Sequence, residues 1–72
     1  MTDSMALREI IKRKGLKMNY LAEQLGLSDY GFALKVDGKN EFKTSEVARL
    51  CDLLSITSLK EKEGLFFAKN VE

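Results

Sequence analysis

Apolar residues recur along this chain at helical spacing in short bursts, and each burst stops at a glycine or at a residue suited to capping a helix. Proline is absent, so glycines and caps do all of the punctuating. A chain broken up in this way can only build its core from several short helices packed together.

The first burst covers residues 4–14. Leu7, Ile10 and Ile11 fall at i, i+3 and i+4, one face of a helix. Gly15 follows as its stop, and Lys12, Arg13 and Lys14 complement the negative end of the helix. A second helix is predicted over 18–25, with Leu21, Ala22 and Leu25 on one face, and Gly26 interrupts it. Leu27 is an apolar anchor. Ser28 is an N-cap for a third helix over 29–36, with Asp29 in its first turn and Phe32 and Val36 facing inward. Asp37-Gly38 reads as a turn.

Residues 39–43 form a loop in which Phe42 is expected to be pinned to the core. Thr44 or Ser45 is expected to cap a fourth helix over 45–54. There Val47, Leu50, Cys51 and Leu54 give the cleanest period in the chain. Ser58 to Glu61 matches a capping box that opens a short fifth helix, and Gly64 is expected to end it. The last eight residues, LFFAKNVE, contain Leu65, Phe66 and Phe67, which are too apolar to float free. They either close the core or meet a partner. Closure is favoured because so small a core needs every large side chain. The expected fold is all-α: one domain over 1–72, made of five short helices and a short extended C-terminal tail over 65–72.

Seventy-two residues allow one small domain of thin stability, with no disulfide, since Cys51 is alone. There is no histidine, no Cys/His cluster at zinc spacing and no glycine-rich phosphate loop. Nothing pairs Ser with Lys into an activated nucleophile. No enzyme, metal, cofactor or small-molecule substrate is therefore expected. No apolar run approaches the roughly 20 residues of a membrane span, and no signal-peptide core stands at the N-terminus, so a cytoplasmic location is expected.

The functional signal lies in residues 16–38: two short helices joined by a glycine-containing turn. Ala22 is small where the helices must cross, Gly26 supplies the turn, Leu27 plugs it, and Phe32 and Val36 hold the second helix down. This is the helix-turn-helix pattern, over about 17–37. The stretch LREIIKRKGLKMNYLAEQLGLS, with FALKVDGK and SEVARLCDLLSI after it, resembles the lambda-repressor/Cro-type helix-turn-helix domains across residues 5–60. The resemblance implies their five-helix fold and a role in transcriptional control. Small members are often phage proteins of the lysis–lysogeny switch, and those that modulate a lysogeny repressor look most similar. That likeness implies a heteromeric partner.

The face implied by the resemblance comprises Lys17, Met18, Asn19, Ser28, Asp29, Tyr30, Gly31, Ala33, Leu34, Lys35, Asp37 and Lys39. It departs from the family at both helices. Family members usually place Thr or Ser, then Gln, where this chain has Lys17 and Met18, so a cap is lost. The positions used for base edges map to Ser28, Asp29, Tyr30, Ala33 and Leu34. No Arg, Gln or Asn for bidentate purine reading lies in residues 28–39.

Charge points the same way. The formal sum is +1, from 12 basic and 11 acidic residues, which is weak for a nucleic-acid binder. Arg8, Lys12, Arg13, Lys14 and Lys17 crowd the first seventeen residues, whereas Asp29 and Asp37 cancel Lys35 and Lys39 in the third-helix segment. Gly31 weakens that helix by about 1 kcal/mol and allows another backbone to approach. Tyr30 and Leu34 either form an outer apolar ridge or pack on the fourth helix.

An acidic, apolar face of this kind suits the basic DNA-reading surface of a repressor, with Asp29 and Asp37 giving charge complementarity. The alternative is a Cro-like repressor that binds operator DNA directly as a dimer, with residues 65–71 as a dimer surface.

Overall fold

A computed structural model of the protein describes residues 2–66. Within them the chain is all-helical: α1 (Ser4–Arg13), α2 (Met18–Gln24), α3 (Asp29–Val36), α4 (Thr44–Leu54) and α5 (Leu59–Phe66). The apolar stripes read from the sequence converge on one core. Leu7, Leu21, Ala22, Phe32, Val36, Leu50 and Leu54 are fully buried, and Ile10, Ile11, Val47, Cys51, Ile56, Leu65 and Phe66 complete the cluster. Phe42 leaves its loop to join the core. Its ring meets Phe32 edge-on at 6.2 Å and Phe66 at 5.6 Å, which ties α3 to α5.

The C-terminal ends of α1 to α4 share one device. At the end of α2, Gly26 takes φ +72, the Leu27 N–H donates to the Ala22 carbonyl at 2.9 Å, and the Gly26 N–H donates to Glu23 at 3.1 Å. This double closure satisfies carbonyls that the helix leaves unpaired and turns the chain sharply, and the left-handed residue costs a glycine nothing. Gly15 and Gly38 end α1 and α3 in the same way. At the end of α4 a serine does the job: Ser55 sits at φ 59, and the Ile56 N–H donates to Cys51 at 2.9 Å.

Three sequence expectations need correction. The N-cap of α4 is Lys43, one residue before Thr44. Lysine has no acceptor to offer, so only half of a capping box forms there: the Glu46 carboxylate accepts from the Lys43 N–H at 2.8 Å. Gly64 does not end α5 but lies inside it. The last turn carries Leu65 and Phe66 into the core, and their burial outweighs the weak helix propensity of glycine. The tail is therefore not extended from residue 65. Leu65 and Phe66 close the core in a helix, anchored where the Asp3 N–H donates to the Leu65 carbonyl at 2.7 Å. Buried in that way, they offer no dimer surface. The remainder of the expected tail, Phe67 onward, lies outside the described residues.

Candidate interaction face on α2 and α3

α2 packs chiefly on α3, and residues 25–28 join them in a tight turn. The apolar sides of both helices are committed to the core through Leu21, Ala22, Phe32 and Val36, which turns Lys17, Asn19, Asp29 and Tyr30 to solvent.

The start of α2 is bare. Lys17 is its N-cap and makes no side-chain cap hydrogen bond, as expected of a side chain with no acceptor to offer. Lys17 and Asn19 are exposed. Met18 is half-buried and packs against the core, so it is less a surface group than its position suggested.

α3 begins properly. The Ser28 hydroxyl accepts from the Gly31 N–H at 2.9 Å, which uses that oxygen locally. A Cβ on Gly31 would meet the same hydroxyl at 3.0 Å, so within this chain the glycine makes room for the cap. Asp29 is exposed, and Tyr30 keeps 75% of its surface in water. Ala33 and Leu34 are half-buried. Leu34 is not among the half-buried side chains that pack on the core, a set that includes Leu25, Leu27 and Phe42. Tyr30 and Leu34 stand four residues apart on one stripe of the helix. The resulting ridge has one projecting member, Tyr30, and one recessed member, Leu34.

Two charged residues assigned to this face are held by the protein itself. Lys35 Nζ lies 2.6 Å from Glu46 Oε1, with only 13% and 11% of the two side chains exposed. Burial alone would raise the Glu46 carboxyl pKa. The Lys35 hydrogen bond, the Lys43 N–H and the charges of both lysines outweigh it and hold the carboxyl below its ordinary value. Asp37 accepts from Arg8 Nη2 at 2.7 Å, from Arg8 Nε at 3.0 Å and from Ser4 Oγ at 3.3 Å. The Arg8 hydrogen bonds lower its pKa as well. Lys39, after the turn, is exposed.

The free face therefore contains Lys17, Asn19, Asp29, Tyr30 and Lys39, with Ala33 and Leu34 recessed beside them. Tyr20, 43% exposed and one turn after Lys17, is an aromatic group that the sequence reading passed over. Its place next to the core residue Leu21, off the buried stripe, was the available signal. The partners Glu46 and Arg8 were also missed, because each bridges elements far apart in sequence. Arg49 Nη2 donates to Gln24 Oε1 at 3.0 Å, a further tie between α4 and α2.

Elsewhere the chemistry is sparse. Among the described residues no cluster of His, Cys, Asp and Glu is placed to hold a metal ion, and no helix is long and apolar enough to cross a membrane. Cys51 is buried, and desolvation pushes its thiol pKa up, which keeps it protonated and unreactive. No protein-family model, curated protein or solved structure matches the chain.

Proposed function

We propose that this protein is a helix-turn-helix regulator of a phage lysis–lysogeny switch, and that it acts by binding a partner repressor through the α2–α3 face and blocking or altering the repressor's hold on DNA. The supporting observation is Tyr30. It projects from α3 with three-quarters of its surface exposed, beside Asp29, where a DNA-reading helix would present purine-binding groups.

Exposed tyrosines are favoured anchors of protein interfaces, and an adjacent carboxylate matches a basic partner surface. The same carboxylate would face phosphates in a DNA complex, where like charge opposes binding. Lys35 could have offset that repulsion but is tied to Glu46. Asp37 is likewise tied to Arg8, so charge complementarity to a partner rests on Asp29 alone.

The test is co-purification with the DNA-binding domain of a lysogeny repressor. Wild type is expected to form the complex, and Tyr30→Ala and Leu34→Glu to lose it while staying folded. If both variants bind as wild type does, the ridge is not the contact. Tight, sequence-selective operator binding by the pure protein would support the direct-repressor reading instead.

A further inference from the structure

On the other side of the α2 start, a groove of about 340 Å³ opens between α1 and α2, lined by Arg8, Ile11, Lys12, Leu16 and Met18. Ile11 is buried, whereas Leu16 and Met18 are half-buried against the core. Arg8 and Lys12, one turn apart on α1, are exposed. The apolar side follows from how α1 ends. The Leu16 N–H donates to the Ile11 carbonyl at 3.2 Å, which sets Leu16 beside Ile11, and Met18 then begins α2.

We propose that this groove is a second docking site, for an acidic peptide segment that carries a large apolar side chain. Three observations favour that occupant. The apolar residues can desolvate one inserted side chain, and the volume sits near the small end of the range for ligand sites, roughly 300–1,000 Å³. Charge is complementary: both polar residues that line the groove are cations, Lys12 makes no ion pair among the described residues, and Arg8, although paired with Asp37, keeps 46% of its side chain exposed. Met18 supplies an adaptable wall, since an unbranched thioether repacks around different shapes. Duplex DNA would satisfy the cations but leave the exposed parts of Leu16 and Met18 facing water. Arg8 and Lys12 would repel a basic repressor surface, so the groove calls for a partner of opposite charge to the one proposed for the α3 ridge and does not depend on that ridge's function.

The test is an NMR titration of the full chain, isotope-labelled, with a short synthetic peptide of glutamates around a Leu-Phe pair. The same peptide with lysines in place of the glutamates serves as control, and a short DNA duplex is titrated in parallel. Saturable shifts are expected at Arg8, Lys12, Leu16 and Met18, weakening with salt and absent with the lysine peptide. Lys12→Glu should weaken binding by roughly tenfold while leaving the melting curve in place. The proposal is overturned by any of three results: no saturable shifts, shifts centred on Tyr30 and Leu34 instead, or DNA that moves the groove residues at lower concentration than the peptide does.

Discussion

Lys35 Nζ and Glu46 Oε1 stand 2.6 Å apart across the α3–α4 contact, both nearly out of solvent. The pair joins a residue of the expected interaction face to the first turn of the helix behind it. Glu46→Gln should destabilise the protein by about 2 kcal/mol, because it leaves the shielded Lys35 ammonium without a counter-charge, with a neutral amide oxygen as its acceptor. In a domain of this size that corresponds to a fall in melting temperature on the order of 10 °C. Thermal unfolding followed by circular dichroism measures it, and an unchanged melting temperature would mean that the pair adds nothing.

Acid should weaken the fold in a defined window. The Glu46 and Asp37 pKa values are lowered in the folded state from ordinary values of 4.5 and 3.8. A lowered carboxylate pKa contributes stability above the unfolded value and loses it as pH falls through the folded one. Stability should thus hold down to about pH 4.5 and decline below it, chiefly through Glu46, since the exposed Asp37 pair is screened by water. Urea midpoints from pH 7 to pH 3 test this. Glu46→Gln should flatten the decline, and an equally steep decline in that variant would assign it to other groups.

Ser55 is the one non-glycine residue at positive φ among the described residues. Ser55→Gly should stabilise the protein by roughly 1 kcal/mol: relief of the left-handed strain is worth about 1–2 kcal/mol, part of which the greater freedom of glycine in the unfolded chain cancels. A higher urea midpoint at unchanged slope is the expected readout, and a lower midpoint would show that the hydroxyl matters more than the backbone.

Surface and interface roles separate cleanly at Tyr30. With 75% of the side chain already exposed, Tyr30→Ala should change stability by no more than about 0.5 kcal/mol. Binding to a repressor should fall by at least about 2 kcal/mol if Tyr30 is an anchor. Calorimetric titration beside a melting curve gives both numbers. A large stability loss with intact binding would make Tyr30 a packing residue.

The helices and the core were legible in the sequence because each depends on local pattern. Leu7-Ile10-Ile11 and Val47-Leu50-Cys51-Leu54 carry the period of a helix, and Gly15, Gly26 and Gly38 mark where each helix must turn. Gly64 misled because burial of Leu65 and Phe66, a tertiary effect, keeps α5 going through it. The candidate face was only partly legible. Tyr30 could be assigned outward from the positions of Phe32 and Val36. That Lys35 and Asp37 are engaged could not be seen, since Glu46 and Arg8 lie 11 and 29 residues away.

The central claim is the proposal that the α3 ridge binds a protein and not DNA. Its most direct test is size exclusion of the pure protein mixed with a lysogeny repressor's DNA-binding domain, with and without operator duplex. The expected result is a complex of the two proteins that excludes the duplex or alters its binding, and that Leu34→Glu abolishes. If the pure protein instead elutes with the duplex at low concentration, selectively and without the repressor, α3 reads bases and the claim is wrong.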